Sequence, residues 1–191
     1  MNLSNVNLPN ALTLSRIILI PIFVIFFYLP VSWHYTAACI IFILAAITDG
    51  LDGYYARKLG QTSALGAFLD PVADKLMVAV VLVLLVEDAP SDWSVWLALP
   101  AAVIIGREIT ISALREWMAE LGESNKVAVS GYGKLKTICQ MVALGFLTFH
   151  NPLFGIPIYT IGMVLLYIAA TLTLWSMYLY ISAAWPQLRD S

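Results

Sequence analysis

Charge is what this chain has least of. Only 12% of its 191 residues are charged and 61% are hydrophobic, where an ordinary soluble domain carries about 25% charged residues. That balance excludes a soluble globular domain and points to an integral membrane protein, read as one all-α domain spanning residues 1–191. Cysteine is nearly absent. Cys39 and Cys139 both fall inside apolar runs, so they read as packing residues, and no Cys/His spacing of a zinc site or disulfide framework exists. Histidine is limited to His34 and His150, each at the edge of an apolar stretch, where an interfacial role suits it. Repeats and low-complexity segments are missing, and the N-terminus lacks the basic flank and short apolar core of a signal peptide. A net charge of −2 offers no reason to expect a nucleic-acid partner.

What remains is apolar sequence cut by short polar breaks at 29–32, 58–62, 87–92, 122–131 and 151–152. The breaks predict six transmembrane helices at 10–29, 33–58, 63–87, 93–120, 132–150 and 155–185, each near or above the ~20 residues a bilayer requires. Residues 1–8 alternate polar positions with Leu3, Val6 and Leu8, the pattern of a short N-terminal interfacial helix. Every Lys and Arg lies in or towards the half that holds both termini, the 58–62 turn and the 121–131 loop. The three opposite turns have none, and one of them carries Glu87, Asp88 and Asp92. By the positive-inside rule this is a multi-pass cell-membrane protein with both termini facing the cytoplasm.

One string stands out: Asp49-x-x-Asp52-Gly53-x-x-Ala56-Arg57, then Gly66-x3-Asp70-x3-Asp74. At helical spacing the first group shares one face, and 66, 70 and 74 share another on the next helix. Two adjacent helices would then aim four carboxylates at one pocket on the cytoplasmic side. Carboxylates buried without compensation are very costly, so the convergence implies bound cations. Oxygen ligands with no nearby sulfur or imidazole suit Mg²⁺, Mn²⁺ or Ca²⁺. Four of them match a pair of ions, the arrangement that clamps both oxygens of a phosphoryl displacement. Gly53, Ala56 and Gly66 leave room beside the acids for a ligand, although small residues also serve close helix packing. Arg57 is either a phosphate donor or a snorkelling anchor. Thr62 and Ser63 stand where the third helix starts, a natural anion site.

The string resembles the signature of the CDP-alcohol phosphatidyltransferases at all eight of its positions. Beyond it, Pro9 through Arg16, Gly106-Arg107-Glu108-Ile109, Ala113-Leu114-Arg115-Glu116 and Gly133-Lys134-Leu135-Lys136-Thr137 are similar to the branch that makes phosphatidylglycerol phosphate. The resemblance implies transfer of the phosphatidyl group from CDP-diacylglycerol, a membrane lipid, to sn-glycerol 3-phosphate, with release of CMP. It implies two Mg²⁺ or Mn²⁺ ions on Asp49, Asp52, Asp70 and Asp74, with Asp74 also the base for the attacking hydroxyl. Gly53, Ala56, Arg57, Ser63 and Gly66 would line the CDP-diacylglycerol site, with Asn10 and Thr13, and the protein would be a homodimer.

The acceptor brings its own phosphate and needs a second cationic pocket, for which Arg107, Arg115, Lys134 and Lys136 are the candidates. Arg107 lies within an apolar span, where a cation needs a partner or a functional cavity. Glu108, about 100° away around the helix, is expected to be a poor partner for it. Arg115 alternatively pairs with Glu108 or Glu116, and the two lysines alternatively serve as positive-inside anchors. The rival readings are a sister enzyme that uses inositol phosphate or phosphatidylglycerol, a divalent-cation transporter, and an inactive lipid-binding protein.

Overall fold

The computed structural model describes the backbone of residues 8–59, 64–121 and 131–190, and side chains within 11–51, 72–121 and 135–185 together with Leu69. These residues form six helices: α1 Leu8–Phe27, α2 His34–Leu59, α3 Ala64–Asp88, α4 Ser91–Glu120, α5 Gly131–Phe149 and α6 Ile158–Asp190. Each falls within a few residues of its sequence expectation. Among the described residues there is no strand, only an isolated bridge between Leu153 and Ile156. Of the described segments, three are long and apolar enough to cross a membrane: His34–Leu51, Ser91–Glu120 and Ile158–Trp185. Ala11–Phe27 and Leu135–Phe149 are shorter apolar helices. The expected interfacial helix over 1–8 lies outside the described residues except for Leu8, which opens α1.

Local chemistry sets the breaks. Pro90 has no N–H to extend α3, and its carbonyl accepts from the amides of Trp93 and Ser94 to start α4. Between α5 and α6 the chain reverses through His150, Phe154 and Gly155, all with positive φ. Consecutive helices therefore pair as hairpins, α1 with α2, α3 with α4 and α5 with α6. Further packing of α1 on α3, α2 on α5 and α4 on α6 closes a ring in the order α1, α2, α5, α6, α4, α3. Among the described residues α3 and α5 also meet across it.

Inside the ring, Phe23, Leu82, Leu97, Ile104, Leu144 and Leu166 are fully buried. Outside it, Ile25, Ile43, Val83, Val95, Ile109 and Val164 are exposed, as a lipid-facing wall requires. The α5–α6 pair is the tightest contact. A Cβ on Gly162 would sit 3.0 Å from Leu147 Cγ, 3.1 Å from Phe146 Cβ and 3.2 Å from the Ala143 carbonyl oxygen.

The two ends of the bundle differ chemically. At the acidic end Tyr28 donates to Glu87 over 2.9 Å and Tyr35 donates to Asp88 at 2.9–3.0 Å. At the other end Arg16 pairs with Asp49, and Glu108 pairs with both Arg107 and Lys136.

Candidate active site

Asp49 lies ten residues before the C-terminus of α2 and Asp74 ten residues after the start of α3. The sequence predicts α2 and α3 side by side. In the described residues α1 stands between them, packed on both. From there α1 brings a counter-charge to the acids. Arg16, buried on α1 at 1% exposure, places Nη1 2.6 Å from Asp49 Oδ1. Thr13, one turn earlier on α1, is buried as well. Asp49 and Asp74 line one narrow cleft with Arg16, walled by Phe42, Met77 and Met141.

Asp52, Gly53, Ala56 and Arg57 follow Asp49 on α2, while Gly66 and Asp70 precede Asp74 on α3. Their side chains lie outside the described residues, as do those of Asn10 on α1 and Lys134 on α5, and Ser63 lies outside altogether. No group of three His, Cys, Asp or Glu converges among the described residues. Asp49 and Asp74 nonetheless offer the oxygen donors a hard cation takes, and they share a cleft, where Arg16 already pairs with Asp49.

A second cavity of about 210 Å³ adjoins the cleft, sharing Asp74, Val78 and Met141 with it. It collects Arg107 and Arg115 from α4 and Lys136 from α5, three of the four cations expected for the acceptor. Arg107 and Lys136 are buried, at 8% and 4% exposure. Such cations need compensation, and Glu108 provides it. Its Oε1 accepts from Arg107 Nη1 at 3.0 Å and from Lys136 Nζ at 2.5 Å.

This corrects the expectation that Glu108 is a poor partner for Arg107. The angular separation of neighbours on a helix constrains Cβ directions, and a long guanidinium side chain bends round it. The other corner of Arg107 donates from Nη2 to Ser176 Oγ on α6, also at 3.0 Å. Nor does Arg115 pair with Glu108 or Glu116. Its Nη2 donates to the Tyr180 hydroxyl at 2.9 Å, and its guanidinium lies 5.2 Å from that ring's centre. The Arg107 guanidinium is 5.7 Å from the same centre, so one aromatic ring serves both arginines.

Sequence reasoning gave no site role to Arg16, Gln140, Ser176 or Tyr180. Arg16 carries a legible signal, a cation two turns into an apolar helix. Ser176 and Tyr180 carry none, because α6 is apolar and aromatic all round and only its packing on α4 selects them.

Comparison with known proteins gives the family. Residues 6–175 match the family described as CDP-alcohol phosphatidyltransferase. The chain is 54% identical over 184 residues, 96% of its length, to the CDP-diacylglycerol–glycerol-3-phosphate 3-phosphatidyltransferase of Escherichia coli, of which 98% is covered. Proteins of the same name from Shigella flexneri and Pseudomonas fluorescens are also 54% identical over 96% of this chain, covering 98% and 92% of their own lengths.

Proposed function

The chain belongs to the CDP-alcohol phosphatidyltransferase family, and from that premise we infer that it transfers the phosphatidyl group of CDP-diacylglycerol to sn-glycerol 3-phosphate. One observation carries the mechanism: Asp74 lies on the boundary between the acid cleft and the cationic cavity. The cleft suits a metal-held diphosphate. The cavity suits a small acceptor that carries a phosphate.

In this reading Arg107, Arg115 and Lys136, with Lys134 at the start of α5, hold the acceptor phosphate by charge-assisted hydrogen bonds. The acceptor hydroxyl then lies towards Asp74, which takes its proton as the oxygen bonds to the phosphorus next to diacylglycerol. The bond from that phosphorus to the CMP oxygen breaks, so CMP leaves and phosphatidylglycerol phosphate forms. Two divalent cations, Mg²⁺ or Mn²⁺, on Asp49, Asp52, Asp70 and Asp74 would supply the positive charge that the diphosphate needs. Gly53, Ala56, Arg57, Ser63 and Gly66, with Asn10 and Thr13, would line the CDP-diacylglycerol site.

The protein would cross the cell membrane six times, with both termini and the active site facing the cytoplasm. Its assembly as a homodimer rests on the family resemblance. Family membership sets aside the divalent-cation transporter, and the relatives' names favour glycerol 3-phosphate over inositol phosphate or phosphatidylglycerol.

The test is CMP release by the purified protein from CDP-diacylglycerol with each of the three acceptors. Glycerol 3-phosphate is expected to be preferred, and exhaustive chelation is expected to stop turnover until Mg²⁺ or Mn²⁺ is restored. A preference for another acceptor overturns the branch, and full activity after chelation overturns the metal reading.

A further inference from the structure

The cations of the acceptor cavity account for a phosphate but not for the rest of the acceptor. Gln140 lies four residues after Lys136 on α5, on the same face and about 6 Å further along the helix axis. It lines the same cavity and is buried at 5% exposure. Its Oε1 is buried without a hydrogen-bond partner, as is Nε of Arg107, which lines the same cavity. A buried polar atom left unpaired costs stability, and such atoms in a native protein call for an explanation. The residues lining this cavity thus include one with an unpaired donor and one with an unpaired acceptor. The donor matches a phosphate oxygen. The acceptor, in a cavity otherwise rich in cations, matches a neutral hydroxyl. The terminal amide torsion of glutamine is broad, so the oxygen turns into the cavity at little cost.

We propose that Gln140 is a specificity-determining residue whose carboxamide oxygen accepts a hydrogen bond from the non-reacting hydroxyl of a polyol phosphate acceptor. This rests on the acceptor reading above. With the phosphate against Arg107 and Lys136 and the reacting hydroxyl towards Asp74, glycerol 3-phosphate has one hydroxyl left, on its central carbon. The spacing of Lys136 and Gln140 is of the order of a three-carbon phosphate. A site built to bond a hydroxyl rejects an analogue that lacks it, because its own polar group then stays buried and unpaired.

The test compares glycerol 3-phosphate with 3-hydroxypropyl phosphate, which keeps the phosphate and the reacting hydroxyl and lacks the central one. For the wild type, kcat/KM is expected to favour glycerol 3-phosphate by about ten- to a hundredfold. Gln140→Met, which keeps the length and removes the amide, is expected to lose most of that preference. It should raise KM for glycerol 3-phosphate while leaving the analogue's kinetics and the KM for CDP-diacylglycerol near wild type. A Gln140→Met enzyme that keeps the preference, or loses both acceptors equally, overturns the proposal. So does a wild type that uses the two acceptors alike, which needs no variant to fold. A wild type inactive with glycerol 3-phosphate would instead overturn the acceptor reading itself.

Discussion

Asp74 lines both the acid cleft and the cationic cavity, and the proposed mechanism gives it the roles of metal ligand and base. An amide at that position keeps most of the shape but neither the charge nor the proton affinity. Asp74→Asn is therefore expected to collapse kcat, while KM for glycerol 3-phosphate moves little, in steady-state kinetics with each substrate varied in turn. Arg107→Gln should do the reverse. A charge-assisted contact to phosphate contributes about 1.5–3 kcal/mol, so its loss should raise KM for glycerol 3-phosphate by about ten- to a hundredfold. An unchanged dependence would show that the phosphate is held elsewhere. Glu108 belongs to the empty pocket more than to the reaction, since it compensates Arg107 and Lys136 before any phosphate arrives. Removing one partner of such a cluster leaves buried charge uncompensated. Glu108→Ala is expected to lower the melting temperature by roughly 3–10 °C, and inorganic phosphate or glycerol 3-phosphate should recover part of the loss.

At the scale of the helix, α5 supplies both the site and its support. Its first turns carry Lys136 and Gln140, and its later turns press on α6 where Gly162 has no room for a side chain. Gly162→Val should separate the two helices and destabilise the protein by about 1–3 kcal/mol, the usual cost of overpacking, read as thermal unfolding in detergent. Equal stability of the variant and the wild type would mean that the crossing is not tight. Helix boundaries were legible in the sequence because Pro30, Pro90 and the 150–157 turn interrupt long apolar runs, and interruption is a local property. Which helices touch is not local. The sequence order suggests α2 against α3, and only the tertiary packing inserts α1 and its Arg16 between them. Arg107 was legible as a charge out of place in an apolar helix, Arg115 and Lys136 only as candidates for an acceptor that carries a phosphate, and the structure brings the three to one cavity. Their partners were not, because Tyr180 and Ser176 are ordinary residues of an apolar helix until α6 packs on α4.

Across the whole molecule, the ring of helices sorts charge by end. The start of α1, the end of α2, the start of α3, the end of α4, the start of α5 and the end of α6 share one side, because successive helices pair as hairpins. Among the fully described residues, the basic Arg16, Lys75, Arg107, Arg115 and Lys136 lie towards that side, and the acids Glu87, Asp88 and Asp92 belong to the other. At ~1.5 Å per residue α4 and α6 run to about 45–50 Å, longer than the ~30 Å hydrocarbon core, so their ends must tilt or project. The cationic ends then reach the headgroup level, where a water-soluble phosphate acceptor can meet a lipid diphosphate without crossing the membrane. The proposed reaction requires the basic side to be the side where glycerol 3-phosphate is found, and the positive-inside rule, applied to the sequence, predicts that this side is the cytoplasm. Ser91 lies on the opposite side, exposed at the first turn of α4. In a background with Cys39 and Cys139 replaced by alanine, Ser91→Cys is expected to react with a membrane-impermeant maleimide added outside intact cells. A cysteine added at the C-terminus should react only after the membrane is opened. The reverse pattern would place the acid cleft outside and separate the enzyme from its acceptor. Labelling at both positions from outside would instead mean an even number of crossings between Ser91 and the C-terminus, and the closed ring of paired helices would not be the form present in the membrane.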